Sequence, residues 1–102
     1  MSDFVTVTSE EGLSAGDMKA FDVGELKIAV ARVGDDLYAF GDTCTHQKCP
    51  LSKGELEGTT VTCPCHGSQF DVSTGGVLTG PAEDPVVSYP VRVEGGEIRV
   101  EV

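Results

Sequence analysis

Leu26-Lys27-Ile28-Ala29-Val30-Ala31-Arg32-Val33, then the turn Gly34-Asp35-Asp36, then Leu37-Tyr38-Ala39-Phe40: this stretch decides the class of fold. Leu26, Ile28 and Val30 recur at every second position, which puts them on one face of an extended strand. A glycine and two aspartates between two such runs predict a turn that brings them together as an antiparallel pair.

Working outward, the same texture continues. Phe4-Val5-Thr6-Val7-Thr8 is β-branched and aromatic and reads as a first strand. A polar loop over 9–17 carries Gly12 and Gly16, and Met18–Val23 is a short strand closed by the turn Gly24-Glu25. On the other side, Thr59-Thr60-Val61-Thr62, Gln69-Phe70-Asp71-Val72, Val77-Leu78, the alternating run 86–93 and the closing run 98–102 are strand candidates. Thr74-Gly75-Gly76 and Gly95-Gly96 are turns, and 80–85 is a proline-rich loop. The expectation is an all-β, small antiparallel barrel or sandwich, forming one domain over 1–102, with no helix and no internal repeat.

The regularity breaks at 41–58, which holds two cysteines, a histidine, a proline and several glycines. It is too long and too polar for a hairpin turn, so something must order it. The span 41–72 therefore reads as an insertion that carries the functional site. Both histidines of the chain fall inside it, in Cys44-Thr45-His46 and Cys63-Pro64-Cys65-His66, and Cys49 completes the four cysteines.

Composition narrows the function classes. The chain has 102 residues, 17 acidic against 7 basic, for a formal charge of −10. Such a chain lacks the clustered cations that phosphate backbones require, which argues against nucleic acid and against an anionic membrane surface. Acidity is compatible with a basic protein partner drawn in by electrostatic steering, and it also serves solubility. No charged-then-apolar leader and no apolar run long enough to span a bilayer is present, so a monomeric cytoplasmic protein without a membrane anchor is expected. Four cysteines could form two disulfides in a secreted domain. That reading does not explain why two of them have histidine neighbours, whereas Cys and His together in a reducing compartment point to metal.

Thiolate is a soft, charged ligand and neutral imidazole a borderline one. Two of each, supplied by two loops, suit a tetrahedral ion or a small iron–sulfur cluster. Zinc fingers usually place a cysteine pair before a histidine pair. Here each loop supplies one of each, in C-x-H and C-x-x-H order, which fits two inequivalent irons better than one zinc.

On these residues the chain resembles the Rieske family: Cys44-Thr45-His46, a sixteen-residue spacer, then Cys63-Pro64-Cys65-His66-Gly67-Ser68. Leu51-Ser52-Lys53-Gly54 and Gly80-Pro81-Ala82 are similar to further features of that family. The resemblance implies the Rieske fold and one [2Fe–2S] cluster, with Cys44 and Cys63 on the buried iron and His46 and His66 on the outer one. Neutral imidazoles in place of two thiolates make the centre accept an electron more readily, at roughly −150 to +300 mV against about −400 mV for all-cysteine plant-type ferredoxins. It further implies a disulfide between Cys49 and Cys65, as in the Rieske proteins of respiratory and photosynthetic cytochrome complexes. Many soluble Rieske ferredoxins lack that pair, so the chain mixes two types; two packed, reduced thiols are the alternative. Ser68 falls where high-potential members donate a hydroxyl to a cluster sulfide. Phe70 falls where they have a tyrosine donating to a cysteine sulfur, a donor missing here. Gln47 and Lys48 sit beside His46, and with Lys53 they are expected at the partner-facing tip.

The resemblance implies an electron carrier, not an enzyme: electrons pass from a flavin-dependent NAD(P)H reductase to a terminal oxygenase, as a component of a dioxygenase system. A chain this short has no room for a catalytic mononuclear-iron domain. Other readings are the small subunit of an assimilatory nitrite reductase, a soluble respiratory-type Rieske domain, and a structural zinc module.

Overall fold

The computed structural model describes residues 4–43, 49–65, 67–80 and 82–102. The strands run in the order β1 (Phe4–Ser9), β2 (Met18–Val23), β3 (Leu26–Val33), β4 (Asp36–Gly41), β5 (Glu55–Glu57), β6 (Thr60–Thr62), β7 (Gln69–Asp71), β8 (Val77–Thr79), β9 (Ser88–Tyr89), β10 (Val91–Glu94) and β11 (Glu97–Glu101). Two single 3-10 turns, Glu10–Gly12 and Leu51–Lys53, interrupt them. Every pairing is antiparallel.

The strands form three sheets, ordered β1-β11-β10, β2-β3-β4-β9 and β5-β6-β7-β8. The first two belong to the framework. The third lies within the insertion and extends it through Val77–Thr79. Pro90 has no N–H to give to a ladder, and the run 86–93 divides there into β9 and β10, which join different sheets.

β3 is the central element, and it is buried on both faces. Ile28 and Val30 enter one core with Leu13, Ala39, Ile98 and Val100. Ala29 and Ala31 enter the other with Phe40, Leu51, Val61, Cys63, Phe70, Val72, Ala82 and Val86. Alternation along one strand thus sorts side chains between two cores, where the sequence reading gave β3 a single apolar face. Leu26, assigned to that face, is 41% exposed at the strand end. The second core ties the insertion to the framework, because its members come from β3 and β4 on one side and from β6, β7 and the loop at 82–86 on the other.

Candidate metal centre

Asp42 closes the base of the first loop. Its N–H donates to the Lys27 carbonyl at 3.0 Å, and its carbonyl accepts the Leu51 N–H at 2.6 Å. Its carboxylate oxygen Oδ1 accepts the Ser52 N–H at 2.7 Å. Thr43 and Pro50 form an antiparallel bridge just above. Leu51, which follows, is wholly buried in the second core. The chain therefore leaves the framework at 42 and returns at 51 with both ends fixed to backbone.

The second loop is a tight turn off the β6–β7 hairpin. The Cys63 N–H donates to the Ser68 carbonyl at 2.7 Å, and the Gly67 N–H donates to the Cys63 carbonyl at 3.2 Å. Gly67 has φ +76°, a conformation a side chain would strain, so the turn needs glycine there. On the sheet side, Gln69 Nε2 donates to Thr62 Oγ1 at 3.3 Å, and Thr79 Oγ1 donates to Gln69 Oε1 at 3.0 Å. Cys63 itself is buried and takes no part in a disulfide. A cavity of about 400 Å³ opens beside it, lined also by Lys53, Gly54, Glu55, Thr62, Pro64 and Gly67.

Cys49 and Cys65 are joined as a disulfide with Cα atoms 6.4 Å apart. Half-buried Cys49 packs against the second core, while Cys65 is exposed in the turn. The bridge ties the two loops to each other, as the resemblance implied.

A third segment leans on both loops. Ser68 is wholly buried, and its Oγ accepts the Ala82 N–H at 3.0 Å, which leaves the hydroxyl's own hydrogen to be donated. The Val86 N–H donates to the Gly75 carbonyl at 2.9 Å, and the Val87 carbonyl accepts the Gly41 N–H at 2.8 Å. Gly75 combines φ +82° with so close an approach that a Cβ would overlap the Val86 carbonyl. The proline-rich loop is thereby fastened to the roots of both loops.

Of the residues singled out in the sequence, Cys63 and Phe70 are members of the second core's buried cluster, and buried Ser68 is joined to Cys63 through its carbonyl. Phe70 is fully buried on β7, opposite Val61 and Val77. Cys44, His46, Gln47, Lys48 and His66 lie outside the described residues, as does Pro81. What is described fits an iron–sulfur cluster: a thiol, the soft kind of donor, held out of water beside a cavity, a buried hydroxyl with a hydrogen to donate, and a disulfide that staples the two loops together. The sequence reading missed Asp42 and the Ala82 amide; one is an acid among 17, and the other is a backbone group with no sequence signature.

The family model of the Rieske [2Fe-2S] domain matches residues 3–90. The chain belongs to the Rieske family. A Rieske domain binds a [2Fe–2S] cluster, and that is the cofactor of this fold. Among Rieske relatives, the 3-phenylpropionate/cinnamic acid dioxygenase ferredoxin subunit of Escherichia coli K12 is 45% identical over 76 residues, covering 74% of this chain and 72% of that protein. The ferredoxin of carbazole 1,9a-dioxygenase from Nocardioides aromaticivorans IC177 superposes with a TM-score of 0.92 at 36% identity, over 95% of each chain. A further Rieske neighbour comes from a complex of reduced oxygenase and oxidized ferredoxin in carbazole 1,9a-dioxygenase. It has a TM-score of 0.90 at 38% identity and covers 95% of this chain and 91% of that one. Among the described residues no helix is long and apolar enough to cross a membrane.

Proposed function

We propose that this chain is a one-electron carrier of a multicomponent oxygenase system, accepting electrons from a flavin-dependent NAD(P)H reductase and delivering them to a terminal oxygenase. The observation that carries the reading is the likeness, over about three quarters of the chain, to a dioxygenase ferredoxin subunit. The complex of oxygenase and ferredoxin formed by a structural neighbour supports the oxygenase end. The reductase end rests on chemistry: a carrier at an intermediate potential needs a donor that splits the hydride pair of NAD(P)H into single electrons, which flavins do.

Cys44 and Cys63 hold one iron in this reading, and His46 and His66 hold the other. The cluster supplies a one-electron couple. The chain's own contribution is to keep Cys63 dry, to staple the loops at Cys49–Cys65, and to aim the Ser68 hydroxyl by fixing its oxygen on the Ala82 amide. The charge of −10 favours a basic docking patch on the partner, reached by electrostatic steering. Purified protein mixed with reductase and NAD(P)H should bleach in its visible bands, then recover on addition of an oxygenase with its substrate and dioxygen. The transfer rate constant should fall as salt rises. Protein that bears a cluster but is not reduced by any such reductase, or whose reduced form is not reoxidised by the oxygenase, would refute the carrier role.

The disulfide favours a second reading, a soluble respiratory-type Rieske domain. The potential separates the two. With Ser68 present and a tyrosine absent at Phe70, the carrier is expected below the cytochrome-complex proteins and above ferredoxins that lack the bridge. A measured potential among the cytochrome-complex values would favour the second reading.

A further inference from the structure

We infer that Asp42 is a positioning residue for the cluster, the side chain that holds the first ligand loop to its register. The inference rests on the reading that Cys44 and His46 are ligands. Asp42 and Ser68 are the buried polar side chains among the described residues, and Ser68 serves the second loop. A carboxylate is placed out of water only where its acceptor capacity is used. Asp42 uses Oδ1 on the Ser52 N–H at 2.7 Å, the second amide of the 3-10 turn Leu51–Lys53. That turn has no side-chain cap of its own at Pro50. Its early N–H groups would otherwise be unpaired, and Asp42 takes one with its carbonyl and the next with its side chain.

The consequence falls on the loop. Between Asp42 and Leu51 the chain carries Cys44, His46 and Cys49. The disulfide ties Cys49, next to the Thr43–Pro50 bridge, across to the second loop, and Asp42 joins the leaving end of the loop to the returning one. Holding both ends is how Asp42 would keep the register of the loop as charge on the cluster changes. Lys27 lines the same cavity of about 300 Å³ as Asp42, yet among the described residues no ion pair joins them. The acceptor oxygen, not a charge pair, is therefore the feature the geometry assigns. Asparagine keeps that oxygen and alanine removes it.

The test uses the cluster-loaded chain with Asp42→Ala and Asp42→Asn. Three quantities are read: the rate of visible bleaching in excess iron chelator, the EPR g-values of the reduced protein, and hydrogen–deuterium exchange over 50–53. Asp42→Ala should release the cluster roughly fivefold to 150-fold faster, the factor expected for an amide left unpaired. It should also shift the g-values and expose the Ser52 amide to exchange. Asp42→Asn should stay within about twofold of wild type, with wild-type g-values, since it preserves the hydrogen bond. Wild-type behaviour of Asp42→Ala in release and EPR would overturn the inference, and so would Asp42→Asn behaving like Asp42→Ala. If Asp42→Ala does not fold, Asp42→Asn and the wild-type protein decide: an unprotected Ser52 amide in folded wild type overturns the tether, and a protected one with a normal Asn variant supports it. Absence of a Rieske EPR signal from the wild type would instead overturn the ligand reading, and Ser52 protection would still decide the tether.

Discussion

Replacing Cys49 by alanine and Cys65 by serine together should cost the protein about 3 kcal/mol. The two cysteines are 16 residues apart in sequence and bridge two separate loops. In the chain-entropy treatment, opening a loop of this length returns about 10 cal/mol/K to the unfolded chain, or roughly 3 kcal/mol at 25 °C. The substitutions are matched to each environment. Half-buried Cys49 packs against apolar neighbours, so alanine leaves no polar group there, whereas exposed Cys65 tolerates a hydroxyl. For a domain near 100 residues, each kcal/mol moves the melting temperature by about 4–8 °C, so the double variant should melt roughly 12–24 °C lower.

Heating followed by far-UV circular dichroism reads this directly. Cluster loss makes unfolding irreversible, so wild type and variant must be scanned at one rate. The oxidation state is checked separately by alkylating the denatured, cluster-free chain: two thiols react if the bridge is closed and four if it is open. A drop of less than about 4 °C with a closed wild-type bridge would refute the entropic argument, because the cross-link would then not be constraining the unfolded chain. Four reactive thiols in the wild type would refute the clasp itself.

Three further outcomes follow from the same geometry. His66→Cys exchanges a neutral ligand for an anionic one and should lower the potential by roughly 100 mV or more toward the all-cysteine range; voltammetry giving the wild-type value would remove His66 from the ligand set. Ser68→Ala takes away the acceptor of the buried Ala82 amide and the hydroxyl donor proposed for the cluster, so stability should fall by about 1–3 kcal/mol and the potential should also drop; stability loss without a potential change would confine Ser68 to packing. Gly75→Ala forces a side chain into φ +82° and against the Val86 carbonyl, for a loss of about 2 kcal/mol or more in thermal unfolding; an unchanged melting temperature would mean that the proline-rich loop is not held where Val86 meets Gly75.

What was legible in the sequence follows a physical division. β3 could be read to its ends, because Leu26–Val33 alternates and is bounded by glycine turns. Its second buried face could not, since Ala29 and Ala31 are too small to look like core residues until Phe40 and Leu51 are seen packed in the same cluster. β5 was hidden for the opposite reason. Two of its three residues are glutamates, and only the ladder to Thr60–Thr62 makes it a strand. The proposed ligand set stands out as a motif because cluster chemistry demands particular side chains at particular spacings. The disulfide came through the family resemblance alone, as spacing does not determine a pairing. The supports of the site were the least legible part. The Ala82 amide, the Gly75 and Val87 carbonyls and the Thr43–Pro50 bridge are main-chain groups that nearly any residue could provide. Asp42 is the exception that explains the rule. Its side chain completes that main-chain network, so its identity should matter only through one acceptor oxygen, and it is there, not among the ligands, that asparagine should be accepted and alanine refused.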